Sequence, residues 1–111
     1  MLKILTTQYI KAFDTKDIKS IEQLLSKTFA LEDPVVKRIE GKREVLKAIQ
    51  SIFDSCEKLN FKAKNIYQDH MTTIIEFILQ LDETILTGTD IIEWNEQNQM
   101  TELRAYLDIP K

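Results

Sequence analysis

Asp90 is a carboxylate in apolar company. It belongs to residues 84–95, Thr-Ile-Leu-Thr-Gly-Thr-Asp-Ile-Ile-Glu-Trp-Asn, which read as a strand. Strand side chains alternate between faces. Leu86, Gly88, Asp90, Ile92 and Trp94 share one face, and Ile85, Thr87, Thr89, Ile91 and Glu93 take the other. The first set is the more apolar and is expected to face the core, where a charged carboxylate is costly. Either Asp90 is paired, or its pKa is raised and it is protonated, or it lines a cavity. Other chemistry-bearing residues are few. One histidine, His70, cannot make a His-rich metal site, and it falls in an expected turn. One cysteine, Cys56, rules out an internal disulfide and fits a reducing compartment. Its place in a helical apolar stripe suits a small core residue. The sequence holds no phosphate loop, zinc spacing or dinucleotide fingerprint.

The elements that must position Asp90 follow from periodicity. Leu2, Leu5, Tyr9, Ala12 and Phe13 predict a helix over about residues 2–13. Asp14 and Thr15 interrupt it, and Ile18, Ile21, Leu24 and Leu25 predict a second helix over about 16–27. Phe29 and Leu31 suggest a short strand over 28–34, ended by Pro34, with a loop or weak strand over 35–40. Gly41 opens the clearest helix, about 42–57, on the stripe Val45, Ala48, Ile49, Ile52, Phe53 and Cys56. Four strands should follow. Leu59, Phe61, Ala63 and Tyr67 share a face over 59–68, and Ile75, Phe77, Leu79 and Leu81 over 71–82. The 84–95 strand comes next, and Leu103, Ala105, Leu107 and Ile109 share a face over about 100–109. Short connections imply an antiparallel meander.

The expected fold is therefore α+β: three N-terminal helices packed in a curved antiparallel four-stranded sheet plus a short strand. Gly88, mid-strand, suggests a bend or bulge. A sheet curved over helices makes a cone, and the open end of a cone is a pocket. At 111 residues the chain makes one domain. A net charge of −3 and a pI near 5.2 argue against a nucleic-acid footprint. The basic residues Lys37, Arg38, Lys42, Arg43 and Lys47 are interrupted by Glu40 and Glu44 and read as a solvated face. No apolar run reaches membrane-spanning length, and the N-terminus has no signal-peptide pattern, so a cytoplasmic protein is expected.

Three stretches carry a resemblance. They are Gln8-Tyr9-Ile10-Lys11-Ala12-Phe13 with Asp17, Glu32-Asp33-Pro34 followed by Gly41, and Asp90 with Trp94 and Leu103-Arg104-Ala105-Tyr106. With the order of elements, they resemble the NTF2-like superfamily, which has a cystatin-like cone. The SnoaL-like and ketosteroid-isomerase-like members are the most similar. In ketosteroid isomerases the general base is the Asp of a Glu-Asp-Pro segment, which falls on Asp33. The oxyanion hole is a first-helix Tyr and a protonated late-strand Asp, which fall on Tyr9 and Asp90. That enzyme is a known case of a carboxylic acid kept neutral to donate a hydrogen bond. Supporting tyrosines of those enzymes fall near Leu25 and near Ile49 or Phe53, and neither place keeps one.

The resemblance implies a cofactor-independent enzyme with no metal. It would move a proton next to a carbonyl in a small apolar substrate. Phe53, Phe77, Trp94 and Leu103 are expected to line the pocket. Bland readings stand beside these. Asp33-Pro34 makes a turn, Tyr9 is a core residue with a satisfied hydroxyl, and Asp90 makes a structural hydrogen bond. The alternative function is a non-catalytic ligand-binding or protein-interaction module. Histidine-dependent dehydratases are disfavoured, since His70 sits in a turn. An Asp-Arg-Asp set like that of limonene-epoxide hydrolases is disfavoured too, because Arg104 is expected on the opposite face. That outer face carries Ile78, Ile91 and Tyr106 among polar residues and suits a homodimer.

Overall fold

Leu2, Thr6, Tyr9, Ala12 and Phe13 form the buried side of the first helix, α1 (Leu2–Asp14), at the expected spacing. The computed structural model describes residues 1–108. Lys16 reverses the chain with φ 56°. Asp17 then caps α2 (Ile18–Leu24), its carboxylate accepting from the Ser20 amide at 3.2 Å. The helix is shorter than the expected 16–27. Leu25 is already extended, with φ −91° and ψ 138°, and it opens β1 (Leu25–Asp33). Residues 37–40, read as loop or weak strand, form β2 (Lys37–Glu40). Gly41, at φ 99°, turns the chain into α3 (Lys42–Asp54), which buries Val45, Ile49 and Phe53. This helix ends before Cys56, which lies buried just beyond it.

Four longer strands follow: β3 (Leu59–Asp69), β4 (Thr72–Leu81), β5 (Thr84–Trp94) and β6 (Met100–Asp108). Ile109, expected at the end of the last strand, lies outside the described residues. The turns match the expected reversals, with His70 and Asp82 both at φ 55°. The Asp82 carboxylate also accepts from the Glu57 and Lys58 amides at 3.0 and 2.8 Å, which fastens the end of the α3 connection to the β4–β5 turn.

The expected sheet of four strands plus a short one is corrected to a single six-stranded sheet, ordered β2-β1-β6-β5-β4-β3. All neighbours are antiparallel except β1 and β6, which run parallel, with Leu31 opposite Leu103 and Glu32 opposite Arg104. This parallel pair brings Glu-Asp-Pro next to the last strand. The helices cover the concave face, α1 against β3 and α3 against β1. Phe29, Phe61, Ile75, Phe77, Ile92 and Leu103 fill the space between.

Two local expectations change. The register of β3 on β4 shifts between Ala63 and Asn65, so one extra residue is accommodated there. Ile66 then faces inward opposite Ile75, and Tyr67, expected inside, is exposed with its hydroxyl donating to Glu76 at 2.9 Å. Gly88 is no bulge, for the register runs through it unbroken, opposite Phe77 and Leu107. Its requirement is space. A Cβ there would stand 2.5 Å from the Tyr106 carbonyl oxygen and 2.9 Å from Phe77 Cζ.

Candidate functional site

Three elements aim three polar groups into one cavity. Tyr9 projects from α1, Asp33 ends β1, and Asp90 sits on the concave face of β5. All three line a cavity of about 80 Å³ between the helices and the sheet. Each is there for a local reason. Tyr9 shares the buried stripe of α1 with Ala12 and Phe13. Asp90 keeps the inward parity of Ile92 and Trp94. Asp33 shares the inward parity of Phe29 and Leu31, and its Oδ1 accepts from the Val35 and Val36 amides at 2.8 and 2.7 Å. That turn fixes one carboxylate oxygen and leaves Oδ2 without a protein donor among the described residues. The turn reading of Asp33-Pro34 and the cavity placement therefore hold together.

Tyr9 and Asp90 are each 5% exposed. Burial pushes the Asp90 carboxyl up to about 8 from its ordinary 3.8, and the negative charge of Asp33 adds to the rise. At neutral pH this group is mostly a neutral acid with an O–H to donate. Burial first, and Asp90 second, hold the Tyr9 hydroxyl well above its ordinary value, so it too keeps its proton. Among the described residues neither group has a hydrogen-bond partner in the protein. Nor are they sealed in: the one enclosed side-chain polar atom left unpartnered there is Ser26 Oγ. Their free polar tips thus border the cavity. Of the three possibilities that parity left for Asp90, pairing is excluded, while a raised pKa and a place on a cavity wall both hold.

The remaining wall is hydrocarbon. Phe77 and Leu103 line it as expected. Phe53 and Trp94 do not, and both placements are corrected. Phe53 packs edge-on against Phe13 with ring centroids 5.1 Å apart and is not among the residues lining the hollow. Ile49 and Ile52 represent α3 in the wall instead. Trp94 lies four residues beyond Asp90, roughly 13 Å along the strand. Its Nε1 donates to the Thr73 hydroxyl at 2.9 Å in the closed end of the core. Phe13, Phe29, Phe61 and Leu79 also line the cavity and were not singled out by the sequence reading. Their inward parity was visible, but their depth along the cone was not. Leu25 and Ile49, where supporting tyrosines were expected to be missing, present hydrocarbon to it.

The outer sheet face carries ion pairs. Arg104 bonds Glu93 at 2.8 Å and also pairs with Glu102, and Arg38 gathers Glu32, Glu40 and Glu102. Arg104 is therefore turned away from Asp33 and Asp90. Ile78 and Tyr106 are exposed on the same face. Among the described residues no group of three or more His, Cys, Asp or Glu is placed to hold a metal ion. No helix there is long and apolar enough to cross a membrane.

Three helices held against one curved six-stranded sheet define an α+β protein of the NTF2-like, cystatin-like fold. Solved structures agree on the fold. An NTF2-like protein of unknown function from Cytophaga hutchinsonii ATCC 33406 superposes with a TM-score of 0.84 at 13% identity, over 97% of this chain and 90% of that one. A proposed ketosteroid isomerase from Kribbella flavida DSM 17836 gives 0.86 at 15% identity, over 99% and 79%. A proposed SnoaL-like polyketide cyclase from Shewanella denitrificans OS-217 gives 0.83 at 13% identity, over 96% and 90%. No curated protein matches by sequence. The SnoaL-like domain family model matches residues 6–103, and the chain belongs to that family.

Proposed function

We propose that the protein binds a small carbonyl compound in the cone and moves a proton next to the carbonyl, without a cofactor. One observation carries this reading. Two buried O–H groups with no protein partner among the described residues, on Tyr9 and Asp90, border the same hollow as the Asp33 carboxylate. A carbonyl oxygen placed between Tyr9 and Asp90 would give both donors an acceptor. When the Asp33 carboxylate takes a proton from the adjacent carbon, the electron pair of that C–H bond moves toward the oxygen. The two donors then meet the growing negative charge in a site of low polarity, where they count most. Returning the proton from Asp33 to a different carbon completes a double-bond migration and restores the carboxylate.

Double-bond migration in an unsaturated ketone, followed by ultraviolet absorbance, tests the reading. Asp33→Asn is expected to lower the rate by at least about a hundredfold, within the usual range for a general base. An unchanged rate removes Asp33 from the role. A second reading, ligand binding without turnover, is favoured by the two amide bonds that already occupy Asp33 Oδ1. Saturable binding of 2,4-pentanedione by a wild type that turns over no carbonyl substrate would select it. The exposed Ile78 and Tyr106, flanked by ion-paired side chains, support a homodimer through the outer sheet face. Sedimentation of wild type and Tyr106→Glu tests that contact.

A further inference from the structure

We infer that the carbonyl head taken by this site is acyclic and slender, of the methyl ketone or linear 1,3-diketone type, and that fused-ring ketones are excluded. The inference rests on the reading of Tyr9, Asp33 and Asp90 given above and adds a substrate class to it.

Size is the first argument. The cavity measures about 80 Å³. A dry cavity of about 150 Å³ takes one benzene. This hollow therefore accepts about half a benzene, or roughly three or four carbon-sized atoms. A ring bearing a carbonyl already exceeds it.

The second argument is that the walls resist widening. Phe13, Phe61 and Phe77 interlock, with successive centroids 5.0 and 5.1 Å apart. Swinging the Phe77 ring toward the sheet meets the backbone, because the ring already lies where a Cβ on Gly88 would be 2.9 Å away. Close packing of the three rings opposes such a shift.

Shape is the third. Asp33 lines the cavity and also two surface grooves. One, of about 410 Å³, includes Pro34 and Lys37, and the other, of about 360 Å³, includes Ser51 and Ser55. Anything longer than the head must leave past this carboxylate. A linear molecule with its carbonyl inward then carries its adjacent C–H bonds through the neck where Asp33 sits. A carboxylate is a weak base, so a second carbonyl on the neighbouring carbon suits it by making that C–H more acidic.

The test is calorimetric titration of the wild type with 2,4-pentanedione and, separately, with 2-naphthol. The linear diketone is expected to bind at least tenfold more tightly than the fused-ring phenol. Leu79 lines the cavity without joining the aromatic cluster. Leu79→Ala, or Leu79→Val where the first does not fold, should bring the two affinities together or reverse them. Equal or tighter binding of 2-naphthol by the wild type overturns the inference, and so does binding of neither compound. The underlying site reading fails separately. If Tyr9→Phe and Asp90→Leu, each of which removes the donor, leave diketone binding unchanged while the size preference holds, the oxygen is not bound by these donors. The cavity then still selects by shape.

Discussion

The Thr6 and Thr73 hydroxyls lie 2.8 Å apart, both without solvent contact, and join α1 to β4 beneath the closed end of the cone. Each has one proton. Trp94 Nε1 donates to Thr73 at 2.9 Å, and the Leu2 carbonyl oxygen lies 2.8 Å from Thr6 Oγ1. One proton order satisfies every group: Trp94 to Thr73, Thr73 to Thr6, Thr6 to Leu2. The chain holds α1, and with it Tyr9, at a fixed height over the sheet. Thr73→Val keeps the shape but strands the indole N–H. It should cost about 1–3 kcal/mol in urea unfolding. A cycle with Thr6→Val should show coupling above about 0.5 kcal/mol. Strict additivity would show that the two hydroxyls do not act as one relay.

Gly88 makes a sharper prediction, because its two clashes differ in kind. A Cβ would meet the edge of a side-chain ring at 2.9 Å but a backbone carbonyl oxygen of β6 at 2.5 Å. Gly88→Ala should destabilise the protein by more than about 3 kcal/mol, or prevent folding, by overpacking. Trimming the ring with Phe77→Leu relieves only the softer clash. The double variant should therefore recover little of the loss. Recovery of most of it, measured by thermal unfolding, would mean that β5 and β6 can separate at this point.

These two sites show what the sequence could and could not reveal. Strand parity placed Asp90 and Gly88 inward, because alternation is a property of the backbone that tertiary contacts rarely override. The stripes of α1 and α3 were legible for the same reason. Leu24-Leu25 was not. A pair of leucines fits the end of a helical stripe and the start of a buried strand equally well, and the pairing of β1 with β6 decided it. Parallel pairing across the chain leaves no hairpin signature, so six strands read as four and a fragment. The bulge after Ala63 reversed the face of Tyr67 without a glycine to announce it. Parity also says nothing of height. Trp94 shares the face of Asp90 yet belongs to the closed end, and Phe53 shares the α3 stripe with Ile49 yet does not line the hollow. The narrowness of the hollow is a sum over many side chains and is not readable from any one of them.

Asp90 should govern how stability responds to pH. Its folded pKa of about 8 lies above the ordinary 3.8 expected once the chain unfolds. Between those values the native state holds a proton that the unfolded state releases. Stability is thus fully present below about pH 4, falls as pH rises, and levels off above about pH 8. The slope for one such proton approaches about 1.4 kcal/mol per pH unit. Asn at this position cannot ionise and is nearly the same size. Asp90→Asn should flatten the curve and exceed the wild type in stability at alkaline pH. Urea unfolding at several pH values reads this directly. A wild type as steep as the variant across the same range would mean that Asp90 ionises freely when folded.

Asp33 supplies the last prediction, because its structural and chemical parts can be separated. Its Oδ1 accepts from the Val35 and Val36 amides, and an asparagine oxygen can do the same. Asp33→Asn should hold stability at neutral pH within about 0.5 kcal/mol of the wild type, leaving aside its effect on Asp90. Asp33→Ala, which strands both amides, should cost about 1–2 kcal/mol. The charge has a separate readout. The Asp33 carboxylate raises the Asp90 pKa, second to burial. Neutralising it should bring the upper end of the Asp90 window below about 8, so the plateau in the unfolding curve starts at lower pH. An unmoved plateau would show that the two carboxyl groups do not feel each other, and a base facing an acid across one shared hollow would no longer describe this site.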